Sequence, residues 1–151
     1  MYLENEFCII DLITVEDVKA ASYLMDQDVM RYIEPVFDEE KIKCFFKTHG
    51  IDQQHIYALR TKSHALIGHV IFHPYDDTSY EIGWVIDKNY WNKGYASHSL
   101  ALLEKELKRL GRRSLLLETH QDNASCFAFA KKHGFVFLRR EEELLLFTKT
   151  I

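Results

Sequence analysis

Apolar and polar residues follow two different periods along this chain, and the switches between them mark its elements. Phe7-Cys-Ile-Ile-Asp-Leu-Ile13 is an apolar run of strand length. Thr14 follows with Asp17 three positions on, an approximate capping box, and Val18, Ala21, Leu24 and Met25 then recur at helical spacing. An irregular stretch through Pro35 and Asp38 leads to a second helix over Glu39 to Thr48, with Ile42, Phe45 and Phe46 on one side. Three strand-like runs come next, His55 to Arg60, Leu66 to Phe72 and Tyr80 to Ile86, separated by turns at 61–64 and 73–78. From Ala96 the period lengthens. Ala96, Leu100, Leu103, Leu107 and Leu110 predict a helix of about four turns that stops at Gly111. Leu115 to Thr119 reads as a strand, Asp122 or Asn123 caps a further helix stopped by Gly134, and Phe135 to Leu138 and Leu144 to Thr148 finish as strands. The predicted order is β-α-α-β-β-β-α-β-α-β-β.

Composition narrows the class without naming a chemistry. A chain of 151 residues with 47% apolar and 28% charged types suits one globular domain, 1–151, with no linker or repeat. At this length roughly 70% of the unfolded surface is buried, so no disulfide or metal staple is needed. Nineteen basic against 23 acidic residues give −4, a poor balance for gripping a phosphate backbone, so no nucleic-acid partner is expected. Three cysteines, Cys8, Cys44 and Cys126, at unrelated spacings suit free thiols in a reducing compartment. Cys8 and Cys44, among apolar neighbours, read as core thiols. With no basic, apolar leader at the N-terminus, the expected location is cytoplasmic. No 18-residue apolar run exists, so no membrane association is expected either. His69 and His73 lie about 13 Å apart along a strand, too far to share a metal, and no His/Cys pair has zinc spacing. The acids Asp26, Asp28, Glu34, Asp38, Glu39 and Glu40 gather around the first two helices, where a solvated helix surface accounts for them.

The stretch that carries chemistry is Ile82-Gly-Trp-Val-Ile-Asp-Lys-Asn-Tyr-Trp-Asn-Lys-Gly-Tyr-Ala-Ser97, a strand running through a short loop into the long helix. A helix start leaves its first N–H groups unpaired and carries about half a positive charge, a ready seat for a phosphate or diphosphate. Gly94 lets the backbone approach an anion, Ala96 is small, and Lys93 adds a full charge beside them. A plain turn glycine explains Gly94 equally simply. The spacing is neither a Walker loop nor a dinucleotide GxGxxG. The residues alone reach an anion at a helix N-terminus and stop there.

Tyr90-Trp-Asn-Lys-Gly-Tyr-Ala-Ser97 resembles the acyl-CoA diphosphate loop of the GNAT N-acetyltransferases, in particular the branch containing the ribosomal-protein N-terminal acetyltransferases. The block from Glu118 to Phe135, ending Lys-Lys-His-Gly-Phe, is similar to that branch's next strand and helix. Asp28-Val-Met-Arg-Tyr-Ile33 resembles its aspartate–arginine–tyrosine region. The resemblance covers essentially the whole chain. It implies an α+β fold with a twisted, mostly antiparallel sheet of about seven strands and about four helices. The fourth and fifth strands, Tyr80 to Ile86 and Leu115 to Thr119, would splay to admit the pantetheine arm of acetyl-CoA. By position, backbone groups of Trp84, Val85 and Ile86 would pair with the arm, and the amides of Asn92, Lys93, Gly94, Tyr95, Ala96 and Ser97 would hold the diphosphate. Asn123 would contact the coenzyme or order the active site, and Phe127 would border its arm or adenosine.

The family pattern is not matched everywhere. Asn92 stands where the branch commonly has glycine, although Asn tolerates positive φ better than most residues. Ala130 stands where many members place a tyrosine that protonates the departing thiolate; the branch's alternative serine slot holds Cys126, beside Ser125. Glu81 is the first candidate for general base and His120 the second. A lysine-like amine with pKa ~10.4 costs about 4.6 kcal/mol to deprotonate at pH 7, whereas an α-amine with pKa ~8 costs about 1.4 kcal/mol and scarcely needs a tuned base. The implied activity is direct acetyl transfer to a primary amine, a protein N-terminus or a small molecule, in a ternary complex, by a monomer or homodimer and without a metal. A catalytically weak acyl-CoA-binding module is the alternative.

Overall fold

The computed structural model describes residues Met1–Ile151. Eight strands form one sheet: β1 (Leu3–Glu4), β2 (Ile9–Asp11), β3 (Ile56–Arg60), β4 (Leu66–Pro74), β5 (Ser79–Ile86), β6 (Ser114–His120), β7 (Val136–Glu141) and β8 (Leu144–Thr150). Their order across the sheet is β1-β2-β3-β4-β5-β6-β8-β7, antiparallel throughout except for the β5–β6 pair. The expected strands four and five are therefore β5 and β6. The extra strand is β1, two residues paired with Ile9 and Ile10, too short to carry a periodic signal.

Five α-helices flank the sheet: α1 (Asp17–Ala20), α2 (Gln27–Met30), α3 (Glu39–Phe45), α4 (Tyr95–Arg109) and α5 (Ala124–Lys132). The first predicted helix is broken. Its apolar spacing is helical, but the chain passes from α1 into a 3-10 turn, Ser22–Met25, before α2 begins. Asp26 causes the restart by accepting the N–H groups of Asp28 and Val29 at 2.8 and 3.1 Å. The expected Thr14–Asp17 box forms in one direction only: the Asp17 carboxylate accepts from the Thr14 amide at 2.8 Å, while Thr14 caps nothing. The second predicted helix leaves α geometry after Phe45 and continues as a π-helical segment, Phe46–Asp52.

The pleat divides the core in two. On one sheet face, Leu100, Leu103 and Leu107 of α4 meet Ile67, Val70, Ile82, Leu115 and Leu117, all essentially buried. Removing each such side chain from water contributes roughly 1.5–3 kcal/mol. On the other face, Leu24 of the 3-10 turn, Ile42 of α3 and Phe46 of the π-helical segment pack against Ile56, Ala58 and Val85. Arg60 ties this half together, with its guanidinium fork 2.8 Å from both Asp17 oxygens and its Nε 2.6 Å from Asp11. Cys8 is buried as expected, but Cys44 is exposed, because its helix turns Ile42 and Phe46 inward instead. No helix is long and apolar enough to cross a membrane.

Candidate active site

Two backbone bonds fix which way β5 faces. Tyr75 N–H donates to the Ser79 carbonyl and Asp87 N–H to the Ile67 carbonyl, so odd-numbered residues of β5 bond β4. Even-numbered residues, including Trp84 and Ile86, turn their amides and carbonyls toward β6. On β6 the bonds Gln121 to Glu143 and Ile151 to Arg113 show that odd residues bond β8, leaving Glu118 and His120 facing β5. The two strands pair only from Ser79–Ser114 to Ile82–Leu117. Beyond that point the ladder opens, and Trp84 N–H and the Glu118 carbonyl are the first groups left without each other. The splay thus presents Trp84 and Ile86 on one wall and Glu118 and His120 on the other. Val85 differs from expectation: its backbone serves β4, and its side chain lies in the core under α1 to α3.

Trp84 is held firmly. Its indole N–H donates to Ser99 Oγ at 2.7 Å, Ser99 in turn donates to the Ala96 carbonyl at 2.9 Å, and Phe129 packs edge-on at 5.1 Å. Trp91 Nε1 donates to the Ile86 carbonyl at 2.8 Å, tying the following loop back onto the strand. Ser99 and Trp91 escaped the sequence reading, since neither bond is local in sequence.

The loop enters α4 through two left-handed residues, Asn92 at φ 58° and Gly94 at φ 89°. The other two α-helices of seven or more residues have a side-chain cap, Asp38 on α3 and Asn123 on α5, but α4 has none and no acid in its first turn. Its first internal bond runs from His98 N–H to the Gly94 carbonyl at 2.9 Å, so the amides of Tyr95, Ala96 and Ser97 open outward. Lys93 lies over the Tyr90 ring at 5.6 Å. Tyr95 packs between Tyr90 and Phe7, and Ser97 Oγ is 2.8 Å from His133 Nε2 at the end of α5. The predicted loop residues therefore converge on one uncapped helix start.

The residues expected to do chemistry surround the splay. Glu81 lies on the sheet face opposite α4, its Oε2 2.8 Å from His73 Nε2. His73 Nδ1 is 3.0 Å from the Pro74 carbonyl, and its ring stacks on His55 at 4.5 Å. On the same face, burial, Glu81 and Glu141 push the Glu118 carboxyl up. His120 Nδ1 accepts the Asp122 amide at 3.1 Å, which leaves the proton of the neutral ring on Nε2, 3.4 Å from Glu143. Tyr32 stacks on His120 at 5.6 Å. Asn123 accepts the Cys126 amide at 3.2 Å, confirming one of the two caps read from sequence. Burial pushes the Cys126 thiol up, although Thr119 opposes this, so the residue is a thiol at neutral pH. Ala130 is fully buried, and Phe127 is exposed with its ring edge-on to Phe147 at 5.4 Å. No group of three or more His, Cys, Asp or Glu side chains could hold a metal.

A sheet opened between parallel β5 and β6, with an uncapped helix start beyond it, is the arrangement that the sequence resemblance implies. The acetyltransferase (GNAT) domain profile matches residues 8–136, and the chain belongs to that family. It is 37% identical over 123 residues to the uncharacterized N-acetyltransferase YnaD of Bacillus subtilis (strain 168), covering 79% of this chain and 71% of that protein. A GNAT-family acetyltransferase from Bacillus anthracis superposes with a TM-score of 0.88 at 25% identity, covering 99% of this chain and 98% of that one. RimL, a ribosomal L7/L12 α-N-protein acetyltransferase solved with coenzyme A, shares the fold with a TM-score of 0.85 at 15% identity, covering 100% and 98%.

Proposed function

We propose that this protein transfers an acetyl group from acetyl-CoA to a primary amine, on a small molecule or a protein N-terminus, by direct attack in a ternary complex. The observation that carries this reading is the uncapped start of α4: three outward amides and a left-handed glycine at the end of a strand that has parted from its neighbour. These residues fit the coenzyme, which would supply the thioester acyl group. Tyr95, Ala96 and Ser97 would hold its diphosphate through backbone N–H groups, with Asn92, Lys93 and Gly94 shaping the turn. Trp84 and Ile86 would pair with the arm along the open strand edge, and Phe127 would flank it.

The chain's own chemistry is mainly alignment. The free Trp84 N–H would polarise a carbonyl at the open end of the ladder. Glu81 takes the proton that the amine sheds on attack, through water, with His73 fixing its carboxylate. His120, with its Nδ1 already occupied, serves as a hydrogen-bond donor unless that bond is released. Asn123 holds the first turn of α5 against the splay. The leaving thiolate takes a proton from Cys126 or from solvent.

Two measurements test this. Thermal shift and titration with acetyl-CoA should show saturable binding; none would end the reading. Thiol release over an amine panel should show turnover, whereas binding without turnover would favour an acyl-CoA-binding module. Cys126→Ala at saturating substrates separates protein from solvent as the acid: an unchanged rate removes the thiol from the mechanism.

A further inference from the structure

We infer that the acceptor is amphoteric, a primary amine with a carboxylate or phosphate a few bonds away, its anion met by Arg31 and its amine by Glu118. The inference rests on the acetyl-transfer reading above and names the substrate class for that site.

The acids gathered around the first helices would suit a cationic guest by charge alone, but the fold already uses them. Asp26 caps α2 with one oxygen and sits 3.1 Å from Lys88 with the other. Asp28 is 3.3 Å from the same ammonium, and Glu34 is 2.9 Å from Lys41. Asp38 caps α3 by accepting the Lys41 amide at 2.8 Å, and Glu39 and Glu40 stand in the first turn of that helix, where its dipole favours acids. Arg31, between these groups, has no carboxylate within ion-pair distance and faces a cavity of about 620 Å³.

That cavity is also walled by Gln27, Met30, Tyr32, Pro35, His120 and Glu34, the last paired with Lys41. Its volume lies within the ordinary range for a small-molecule site. His120 connects it to the splay, because the His120 backbone faces the gap between β5 and β6. Two residues back on the same face, about 6.6 Å along the strand, stands Glu118. Glu81 is engaged by His73 and Glu141 by Arg139 at 2.7 Å, whereas Glu118 has no ionic partner. Asp122 and Glu143 flank His120 from exposed positions at the rim. One free guanidinium and one free carboxylate therefore border the path from cavity to splay, with opposite charges in the order an amino acid or an amino-alcohol phosphate requires. A guanidinium fork suits a planar carboxylate or a phosphate. A diamine would instead press a second cation toward Arg31, and a lysine side chain would leave the guanidinium unpaired.

The test is kcat/KM from thiol release with the intact enzyme over the free amino acids, their amides, phosphoethanolamine and putrescine. At least one amino acid or phosphoethanolamine should exceed its uncharged or dicationic counterpart ten-fold or more. Arg31→Gln should erase that factor through KM for the acceptor, leaving amide turnover within two-fold and KM for acetyl-CoA unchanged. Arg31→Lys should restore part of it. Glu118→Gln should weaken amphoteric acceptors without touching acetyl-CoA affinity. Amides or putrescine used as well as the amphoteric amines, no turnover with any of the panel, or an Arg31→Gln effect equal for every acceptor would each overturn the inference. Failure of the wild type to bind acetyl-CoA would take down the parent reading as well, and is seen separately by titration.

Discussion

Replacing Gly94 with alanine separates a glycine needed for its shape from one needed for its ligand. At φ 89° an L-residue is strained by about 1–2 kcal/mol. The new Cβ would also meet His98 Cδ2 at 3.2 Å, which must give by a few tenths of an ångström. For a domain of this size the strain corresponds to a fall of about 2–8 °C in Tm. Gly111 supplies the control, because it sits at φ 74° with no heavy atom within 4 Å of an added Cβ. Gly111→Ala should therefore lose similar stability at the far end of the same helix. Only Gly94→Ala should weaken coenzyme A, because the strained turn re-aims the amides that would meet the diphosphate. Each charge-assisted hydrogen bond is worth about 1.5–3 kcal/mol, so losing one raises Kd by about 10- to 100-fold. Calorimetric titration with coenzyme A and a melting curve on both variants suffice. Equal destabilisation with wild-type affinity in both would show that the turn does not hold the diphosphate.

Three further outcomes follow from the same geometry. Asn123→Ala removes the α5 cap and should cost about 1 kcal/mol, read as a lower urea midpoint at constant slope and recovered by Asn123→Ser; no change would mean that the bond to Cys126 is idle. His69, bonded to Tyr23 at 2.8 Å and pushed down to about 3 by burial, is neutral in the fold yet titrates near 6.5 once unfolded. The unfolded chain binds the extra proton, so stability is fully present above about pH 6.5 and falls as the pH drops toward 3; Tyr23→Phe/His69→Leu should flatten that slope in urea titrations, and an unchanged slope would refute the assignment. Exposed Cys44 should be alkylated by iodoacetamide well before Cys126 and Cys8, the last pushed up to about 11 by burial; mass spectrometry finding Cys126 modified first would contradict the described packing.

Local patterns carried the frame of this fold, and contacts distant in sequence carried the site. The α4 leucines and the strand-length runs of β4 and β5 are one-dimensional signals, so those elements were readable directly. The break between α1 and α2 was not, because Val18, Ala21, Leu24 and Met25 keep a helical period across it while Asp26 restarts the backbone. Cys44 was misjudged for a related reason: apolar neighbours in sequence share a helix but not a face. The turn at Gly94 and the start of α4 were legible locally, whereas the anion they would seat came only from the family resemblance. The pairing of Glu81 with His73, the pinning of Trp84 by Ser99, and the isolation of Arg31 depend on strand register and on loops meeting across the sheet. No spacing rule reaches them. Asp26, Asp28 and Glu34 teach the converse: a charge cluster seen in sequence says little until its partners are known.

Lys88 stands just after β5 and just before the turn into α4, with its ammonium reaching Asp26, the cap of α2, and Asp28 within it. In the proposed ternary complex the same strut would brace both the helices beside the acceptor cavity and the turn that meets the coenzyme. All three side chains are partly open to water, so the brace is screened by salt and yields easily. Occupancy of either half should consequently be felt by its counterpart, more at low ionic strength than at high.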